Sequence, residues 1–273
     1  MTSTPTSAVP VLEVRDLEVS FGSGHSAAKV LKGVSTSIRR GKTLGIVGES
    51  GSGKSTLAKA IVGLNPVSAG SVSINGQDVD RMTGAQRRAM RREVQMIPQD
   101  PYSSLNPRRT IGQTLAEAID PVRSNPRAHG EKISYWLSTI RLEADVADRY
   151  PHEFSGGQRQ RIAIARALAV GPKLIIADEI TSALDLSVQA EILNLISRLR
   201  TELDLTMAFI SHDLDVVHHV SDDIMVLFHG EVVELGDVDS VYGNPKHPYT
   251  RKLIDSVPGG PGFDIGERRK AAA

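Results

Sequence analysis

The sequence predicts an α/β fold with a mostly parallel sheet, an N-terminal antiparallel β subdomain and an inserted α-helical subdomain. Three observations support this prediction. Short apolar runs alternate with helical patterns over most of the chain, which is typical of α/β domains. The first eighty residues add alternating apolar and polar positions and a hairpin signal. A proline-containing helical segment, at about residues 100–165, then interrupts the regular alternation.

The antiparallel subdomain is predicted from alternation. Residues Val11–Phe21 place apolar side chains at every second position, with a slip at Arg15-Asp16 that indicates a bulge. Val30–Ile38 is the second predicted strand. Asn75-Gly76 is a strong hairpin signal, and Gln77–Val79 is predicted as its return strand. The start of the chain is therefore predicted to be antiparallel.

The parallel sheet is predicted from four short apolar runs without strict alternation, as expected for strands buried on both faces. These runs are Thr43–Val47, Val94–Ile97, Leu174–Ala177 and Met207–Ile210. Two helix faces follow, one formed by Leu57, Ala60, Ile61 and Leu64 and the other by Val188, Ile192, Leu195 and Leu199.

Within the insertion, helices are predicted at Ile111–Ile119 and Ile133–Leu142. A second hairpin is predicted from Ile224–Phe228 and Glu231–Glu234. One domain is expected at 11–258, with flexible tails at 1–10 and 259–273.

Composition excludes several classes of protein. The 273 residues contain no cysteine, which excludes disulfides, Cys-ligated metals and a thiol nucleophile. The 32 basic residues balance the 32 acidic ones, so charge gives no global case for nucleic acid binding. No run reaches the roughly eighteen apolar residues of a membrane helix, and no secretory signal is recognised. A soluble cytosolic protein is the expectation.

A glycine-rich loop follows the strand Thr43–Val47 and precedes a helix, the context that a P-loop requires. Its backbone amides would converge on phosphate oxygens, Lys54 would reach the β- and γ-phosphates, and Ser55 would bind Mg²⁺. A glycine-rich turn with a surface lysine is the alternative. The candidate nucleotide-binding residues are Gly48, Glu49, Ser50, Gly51, Ser52, Gly53, Lys54, Ser55 and Thr56.

A carboxylate pair ends the apolar strand at Leu174–Ala177. Asp178 is the candidate that holds Mg²⁺, commonly through water, and Glu179 is free to polarise an attacking water. The alternative is a cap for the following helix. Together with the loop at Lys54, the pair predicts a P-loop NTPase core of the RecA-like type.

A second anion site is predicted where Ser155, Gly156, Gly157 and Gln158 precede a helix, because they expose amides at its N-terminus. Taken alone, this segment could be an ordinary helix cap.

These motifs resemble those of the ATP-binding subunits of ABC transporters. The resemblance covers nearly the whole chain and includes the signature Phe154–Gln158, the D-loop Ser182–Asp185, the Q-loop Gln99 and the switch His212. Phe21 stands where the family has an aromatic residue that stacks on adenine, although a core strand residue is an equal alternative.

The resemblance implies an ATPase that uses ATP and Mg²⁺ and couples hydrolysis to transport. Glu179 is implied as general base, with His212 and Gln99 beside it, and the metal ligands are implied to be Ser55, Gln99 and Asp178. Two subunits would close head-to-tail, so that Ser155–Gln158 and Asp185 of one complete the ATP site of the other.

A narrower resemblance, to the oligopeptide/dipeptide/nickel importers, is carried by Ile97–Pro107 and Asn244–Thr250. Residues of about 228–258, here called the C-terminal box, are its expected C-terminal part. It implies peptide import across the cytoplasmic membrane, with two transmembrane permease subunits, a second, preferably different, ATP-binding subunit and an extracytoplasmic binding protein. The chain would then lie peripherally on the cytoplasmic face of the membrane. One departure is Ile180, where the family usually has proline, so a freer loop is expected there.

Two alternatives remain open in the sequence. A soluble ABC-type ATPase acting on nucleic acid or ribosomes would need paired domains or long arms, and a P-loop kinase would have no use for Ser155–Gln158. The basic residues at 81–110 are interpreted as a solvated or membrane-facing surface, and no nucleic acid partner is expected.

Overall fold

The computed structural model describes residues 9–22, 28–182 and 184–256. The strands are β1 (Leu12–Phe21), β2 (Ala28–Ile38), β3 (Thr43–Val47), β4 (Ala69–Ile74), β5 (Gln77–Asp78), β6 (Val94–Ile97), β7 (Leu174–Asp178), β8 (Met207–Ile210), β9 (Asp223–Phe228) and β10 (Glu231–Asp237). The helices are α1 (Lys54–Ile61), α2 (Gly84–Glu93), α3 (Pro101–Ser104), α4 (Ile111–Ile119), α5 (Gly130–Thr139), α6 (Gly156–Ala169), α7 (Leu186–Leu203), α8 (Leu214–Val220), α9 (Val238–Gly243) and α10 (Pro248–Asp255). Short 3-10 helices occupy Pro126–His129, Ala144–Asp148 and Pro151–Glu153.

The larger sheet has the order β10-β9-β3-β8-β7-β6, and all neighbours are parallel except the β9–β10 hairpin. The four predicted apolar runs are its strands β3, β6, β7 and β8. Every residue of β3, β7 and β8 is buried, as expected for strands covered on both faces. Parallel strands end at the same edge, so the loop after β3 and the carboxylates at the end of β7 lie close together.

Two hydrophobic clusters cover this sheet, one on each face. Leu174 and Ile176 of β7 pack with the antiparallel sheet and α1. Ile175 and Ala177, the alternate residues, pack with the helical insertion and α7. The two-residue period of a strand therefore divides the core into two parts.

The N-terminal sheet is antiparallel, as predicted, with the order β2-β1-β4-β5. The predicted slip is a bulge, because the β1–β2 register shifts between Val14 and Leu17 and Asp16 has a left-handed φ of 45°. Asn75 and Gly76 both have positive φ, the geometry of a tight hairpin turn. The return strand is shorter than predicted, since β5 ends at Asp78.

Two helix predictions are wrong at their ends. Leu64 was placed on the buried face of the first helix, but α1 ends at Ile61, the chain turns at Gly63 (φ 71°), and Leu64 is 67% exposed. The helix predicted to reach Leu142 ends at Thr139, because Arg141 adopts a left-handed φ of 60°. In each case apolar spacing continued beyond the turn that stops the helix.

The helical insertion lies between β6 and β7, with α4 packed on α6. The predicted helix at Ile111–Ile119 is confirmed. The C-terminal hairpin is confirmed as well, and β10 continues to Asp237. The domain limits at 11 and 258 stay a prediction, and residues 1–8 and 257–273, which hold most of the predicted tails, lie outside the described residues. In the described part of the chain, no helix combines the length and the apolar character needed to cross a bilayer.

Candidate functional site

The loop between β3 and α1 is shaped by glycine. A Cβ at Gly48 would lie 2.1 Å from the carbonyl oxygen of Leu227 in β9, so only glycine fits there. Gly53 is the N-cap of α1 with a left-handed φ of 107°, and no side chain caps this helix. The first amides of α1 are therefore free of side-chain caps and available to an anion in front of the helix.

Lys54 lies inside this loop and is only 4% exposed. Its Nζ donates hydrogen bonds to the carbonyl oxygens of Gly48 (2.7 Å) and Glu49 (3.0 Å). It also lies 3.8 Å from Oε1 of Glu179. Burial lowers the pKa of Lys54, and the nearby carboxylates of Glu179 and Asp178 partly offset that shift. The alternative of a surface lysine is therefore excluded.

Ser55 and Asp178 meet across the sheet edge. The Ser55 hydroxyl donates to Oδ1 of Asp178 at 3.1 Å. Burial raises the pKa of Asp178, and the hydrogen bond from Ser55 acts in the opposite direction. These oxygens suit a hard divalent cation, which would offset the cost of the buried carboxylate. No group of three or more His, Cys, Asp or Glu side chains able to hold a metal exists among the described residues, so phosphates and water would have to supply further ligands.

Glu179 stands immediately after β7 in a strained conformation. Its φ is 48°, in the left-handed region, and its amide donates to the carbonyl of Ile210 at 3.0 Å. Its second carboxylate oxygen lies 3.6 Å from Nδ1 of His212, whose side chain is 59% exposed. His212 is therefore not a buried core histidine. The Glu179 carboxylate lies between the Lys54 ammonium and the His212 ring.

Gln99 is connected to Glu179 through the side chain of Ser182. The Gln99 Nε2 donates to the Ser182 hydroxyl at 3.1 Å, and that hydroxyl donates to the Glu179 carbonyl oxygen at 2.9 Å. Two hydrogen bonds thus connect the end of β6 with the candidate base. The neighbouring D-loop residue Ala183 lies outside the described residues.

A cavity of about 350 Å³ joins these groups. It is lined by Val30, Ser50, Gly51, Gly53, Lys54, Ser55, Thr56, Gln99 and Glu179. Gly48, Glu49 and Ser52, predicted with them, belong to the same loop but do not line the cavity. The cavity has amides, a cation and a carboxylate on its walls, which suits a bound phosphate chain.

The signature segment forms the N-terminus of α6 and is not part of the wall of this cavity. Ser155 and Gln158 form a capping box: the Ser155 hydroxyl accepts from the Gln158 amide, and the Gln158 side chain accepts from the Ser155 amide. A Cβ at Gly157 would lie 2.4 Å from Val188, so glycine allows α6 and α7 to pack closely. Among the described lining residues, none comes from Ser155–Gln158. Gly156, by contrast, has only one side chain, Leu184, near its Cβ position.

Phe21 and Asp185 also lie outside the cavity wall. Phe21 is 42% exposed at the end of β1, where it pairs with Ala28. The alternative of a core residue is therefore wrong, while stacking on adenine stays a prediction. Asp185 is exposed at the N-cap of α7 and makes no capping hydrogen bond there.

Ile180 takes the place of the usual proline and is only 2% exposed within the larger core cluster. Packing of this side chain, instead of a proline ring, holds the loop after Glu179. The freer loop expected at this position stays a prediction. Phe154, the first residue of the signature, is also buried, at 5% exposure.

Three residues were missed by sequence reasoning. Val30 lines the cavity from β2, and Ser182 links Gln99 to Glu179. Tyr249 of α10 accepts a hydrogen bond from the Glu49 amide at 2.8 Å. Ser182 had a signal, since it opens the D-loop motif, whereas nothing local in the sequence connects Tyr249 to a loop 200 residues away.

Two family models match the chain. A model described as ABC transporter matches residues 31–182, and one described as Oligopeptide/dipeptide transporter, C-terminal region, matches residues 233–264. The two matches together include the P-loop, the signature, the carboxylate pair and most of the C-terminal box.

Relatives and solved structures agree with these models. The chain is 48% identical over 256 residues to the Di/tripeptide transport ATP-binding protein DppF of Pseudomonas aeruginosa, covering 91% of this chain and 79% of that protein. It is 47% identical to the Oligopeptide transport ATP-binding protein OppF of Escherichia coli, covering 90% and 74%. Among solved structures, cbiO1 of Clostridium perfringens, part of an ABC transporter complex, matches with a TM-score of 0.74 at 27% identity, covering 86% of this chain and 91% of that one. An ATP-binding cassette solved as a post-hydrolysis dimer with ADP and Pi matches with a TM-score of 0.72 at 29% identity, covering 83% and 98%. This chain therefore belongs to the ATP-binding subunits of ABC transporters, in the oligopeptide/dipeptide branch of that family.

Proposed function

We propose that this chain hydrolyses ATP to drive an importer of peptides, bound peripherally to the cytoplasmic face of the cell membrane. The observation that carries the ATPase part is the cavity where the start of α1, Lys54 and Glu179 meet, with the Ser55–Asp178 pair at its edge. The peptide class is supported by the match at residues 233–264 and by the names of the relatives.

The proposed roles follow from chemistry and position. The α1 amides and Lys54 bind the phosphates, and Lys54 exchanges its carbonyl partners for phosphate oxygens. Ser55 and Asp178, with Gln99 nearby, hold Mg²⁺, which neutralises phosphate charge when bound. Glu179 orients and deprotonates the attacking water, and His212 positions that carboxylate.

The proposed partner at the cavity is a second ATP-binding subunit. The amides of Gly156 and Gly157 lie at the N-terminus of α6, and neither residue lines the cavity of its own chain. In a head-to-tail pair, this helix end would face ATP bound to the partner, and Asp185 would lie close to the interface between the two subunits. Phe21 would stack on adenine from the open end of β1. One of the structures that this chain resembles was solved as a dimer. The peptide-importer resemblance favours a different second subunit over a second copy.

The membrane part would lie on other chains. Two transmembrane permease subunits are proposed to contact the helical insertion, which is connected to Glu179 through Gln99 and Ser182. An extracytoplasmic binding protein would deliver the peptide to those permeases. Neither a kinase nor an ATPase acting on nucleic acid or ribosomes is favoured. The relatives are named as transport ATP-binding proteins, and the match covers most of their length.

The base assignment is tested with Glu179→Gln. Glutamine keeps the shape but cannot accept the proton, so ATP binding is expected to persist while turnover falls by about a hundred- to ten-thousand-fold. Phosphate release measures turnover, and calorimetry measures binding. Glu202→Gln on the exposed side of α7 is the matched control and should behave like the wild type. Normal turnover by Glu179→Gln would remove Glu179 from the role of base.

The partners are tested by purifying the tagged full chain from its native membranes in mild detergent and identifying what accompanies it. Two multi-spanning proteins and a second ATP-binding subunit are expected. Ribosomal proteins or DNA in their place would overturn the proposed function.

A further inference from the structure

We infer that Tyr249, in the C-terminal box, is a positioning residue for the P-loop: its hydroxyl holds the Glu49 amide and thereby sets the start of the phosphate-binding curl. The hydroxyl oxygen lies 2.8 Å from the Glu49 nitrogen and accepts its hydrogen bond. This inference rests on the proposed nucleotide site and assigns to the C-terminal box a part in building it.

The P-loop is held from two sides at this point. From within, the Lys54 ammonium donates to the carbonyl oxygens of Gly48 and Glu49. From behind, Tyr249 accepts from the Glu49 amide, and Glu49 does not line the cavity. When Lys54 turns to a bound phosphate it gives up its loop carbonyls, whereas the bond from the Glu49 amide to Tyr249 remains. The tyrosine then keeps the first turn of the loop in place while phosphate binds.

Tyr249 is itself fixed by the strands next to the P-loop. It is 7% exposed, and its ring centroid lies 4.1 Å from that of Phe228 at the end of β9. The Glu234 carboxylate of β10 accepts hydrogen bonds from the amides of Lys246 and His247, just before α10. Since β9 pairs directly with β3, the strand that leads into the P-loop, both partners of the Tyr249–Glu49 bond are held by one sheet. Burial raises the pKa of the Tyr249 hydroxyl, which stays neutral in ordinary buffers.

The inference is tested with Tyr249→Phe, which removes the oxygen and keeps the ring against Phe228. The probe is ADP, because its phosphates fill the P-loop without being hydrolysed. We expect the dissociation constant of ADP to rise about three- to ten-fold, which corresponds to the net contribution of one neutral hydrogen bond. Tyr242→Phe is the matched control, because Tyr242 also lies in the C-terminal box but donates its hydroxyl proton to Asp215. Its ADP affinity should equal that of the wild type.

A second measurement separates local positioning of the Glu49 amide from general destabilisation of the P-loop. In ¹⁵N-labelled full chain, well below the unfolding temperature, hydrogen exchange of the Glu49 amide should accelerate in Tyr249→Phe. Exchange of the Ser52 amide, which bonds to the Glu49 carbonyl oxygen, should stay protected in ADP. Unchanged ADP affinity in Tyr249→Phe, with the wild type binding ADP, overturns the inference and leaves the nucleotide site standing. An equal loss in Tyr242→Phe overturns it too, and failure of the wild type to bind ADP overturns the proposed site and the inference together.

Discussion

Replacing Gly48 by alanine should disable the nucleotide site through a clash that the structure makes measurable. The new Cβ would stand 2.1 Å from the Leu227 carbonyl oxygen and 2.7 Å from the Ser52 hydroxyl. Ordinary contact requires a shift of about 1 Å, which must come from the P-loop or from β9, because the first contact is backbone. A displacement of about 1 Å at a reacting centre costs on the order of a hundred-fold in rate. We therefore expect kcat/KM for ATP to fall by about that factor.

The clash can be separated from backbone strain by a matched variant. Gly171 also has a positive φ, 73°, but nothing lies within 4 Å of its Cβ position, so Gly171→Ala carries strain without a clash. It should lose about 1 kcal/mol of unfolding free energy and keep full activity. Gly48→Ala should be less stable than Gly171→Ala by about 1–3 kcal/mol, the usual cost of overpacking. Chemical denaturation and a steady-state ATPase assay measure the two effects. Wild-type kinetics in Gly48→Ala would refute the reasoning.

Two further predictions concern the hydrogen-bonded networks. Asp222 accepts hydrogen bonds from Lys42, Arg200 and the amide of Thr43. Burial would raise the pKa of Asp222, but its hydrogen-bond partners outweigh burial and lower that pKa. The ionised Asp222 therefore stabilises the folded state fully above the pKa of aspartate in the unfolded chain. This stabilisation is lost as the pH falls through the lower pKa of Asp222 in the folded chain. Asp222→Asn should therefore lower the free energy of unfolding, measured in urea at pH 7, by about 1–3 kcal/mol. The difference between wild type and variant should shrink below about pH 4. A difference that does not change with pH would contradict this prediction. Ser182→Ala should lower ATPase kcat about three- to ten-fold while ADP affinity stays unchanged, since it removes the two hydrogen bonds that connect Gln99 with Glu179. A loss of ADP affinity would count against this prediction.

Local chemistry explains why much of the site could be predicted from the sequence. A glycine loop between a strand and a helix, or a carboxylate at a strand end, fixes its own geometry within a few residues. Parallel strands then bring Ser55 and Asp178 to one edge, where they are hydrogen-bonded. The bulge at Asp16 was predictable for the same reason, because a slip in alternation is visible in the chain itself.

The rest depended on contacts between distant residues or on backbone angles that apolar spacing does not report. The burial of Ile180 and the bond from Glu49 to Tyr249 arise only when separate elements meet. Leu64 continued the helical spacing, yet the turn at Gly63 carried it out to solvent. The helix predicted through Leu142 failed in the same way.

The two faces of the larger sheet separate most of the packing of the helical insertion from that of α1 and the antiparallel sheet. Neighbouring residues such as Ile175 and Ile176 belong to different hydrophobic clusters, which meet at this sheet. Packing lost on the helical side leaves the other face covered, since Leu57 of α1 and Leu31 of β2 belong to that other cluster. We therefore expect local unfolding of the insertion to disturb the packing around Leu57 and Leu31 less than the packing of its own face.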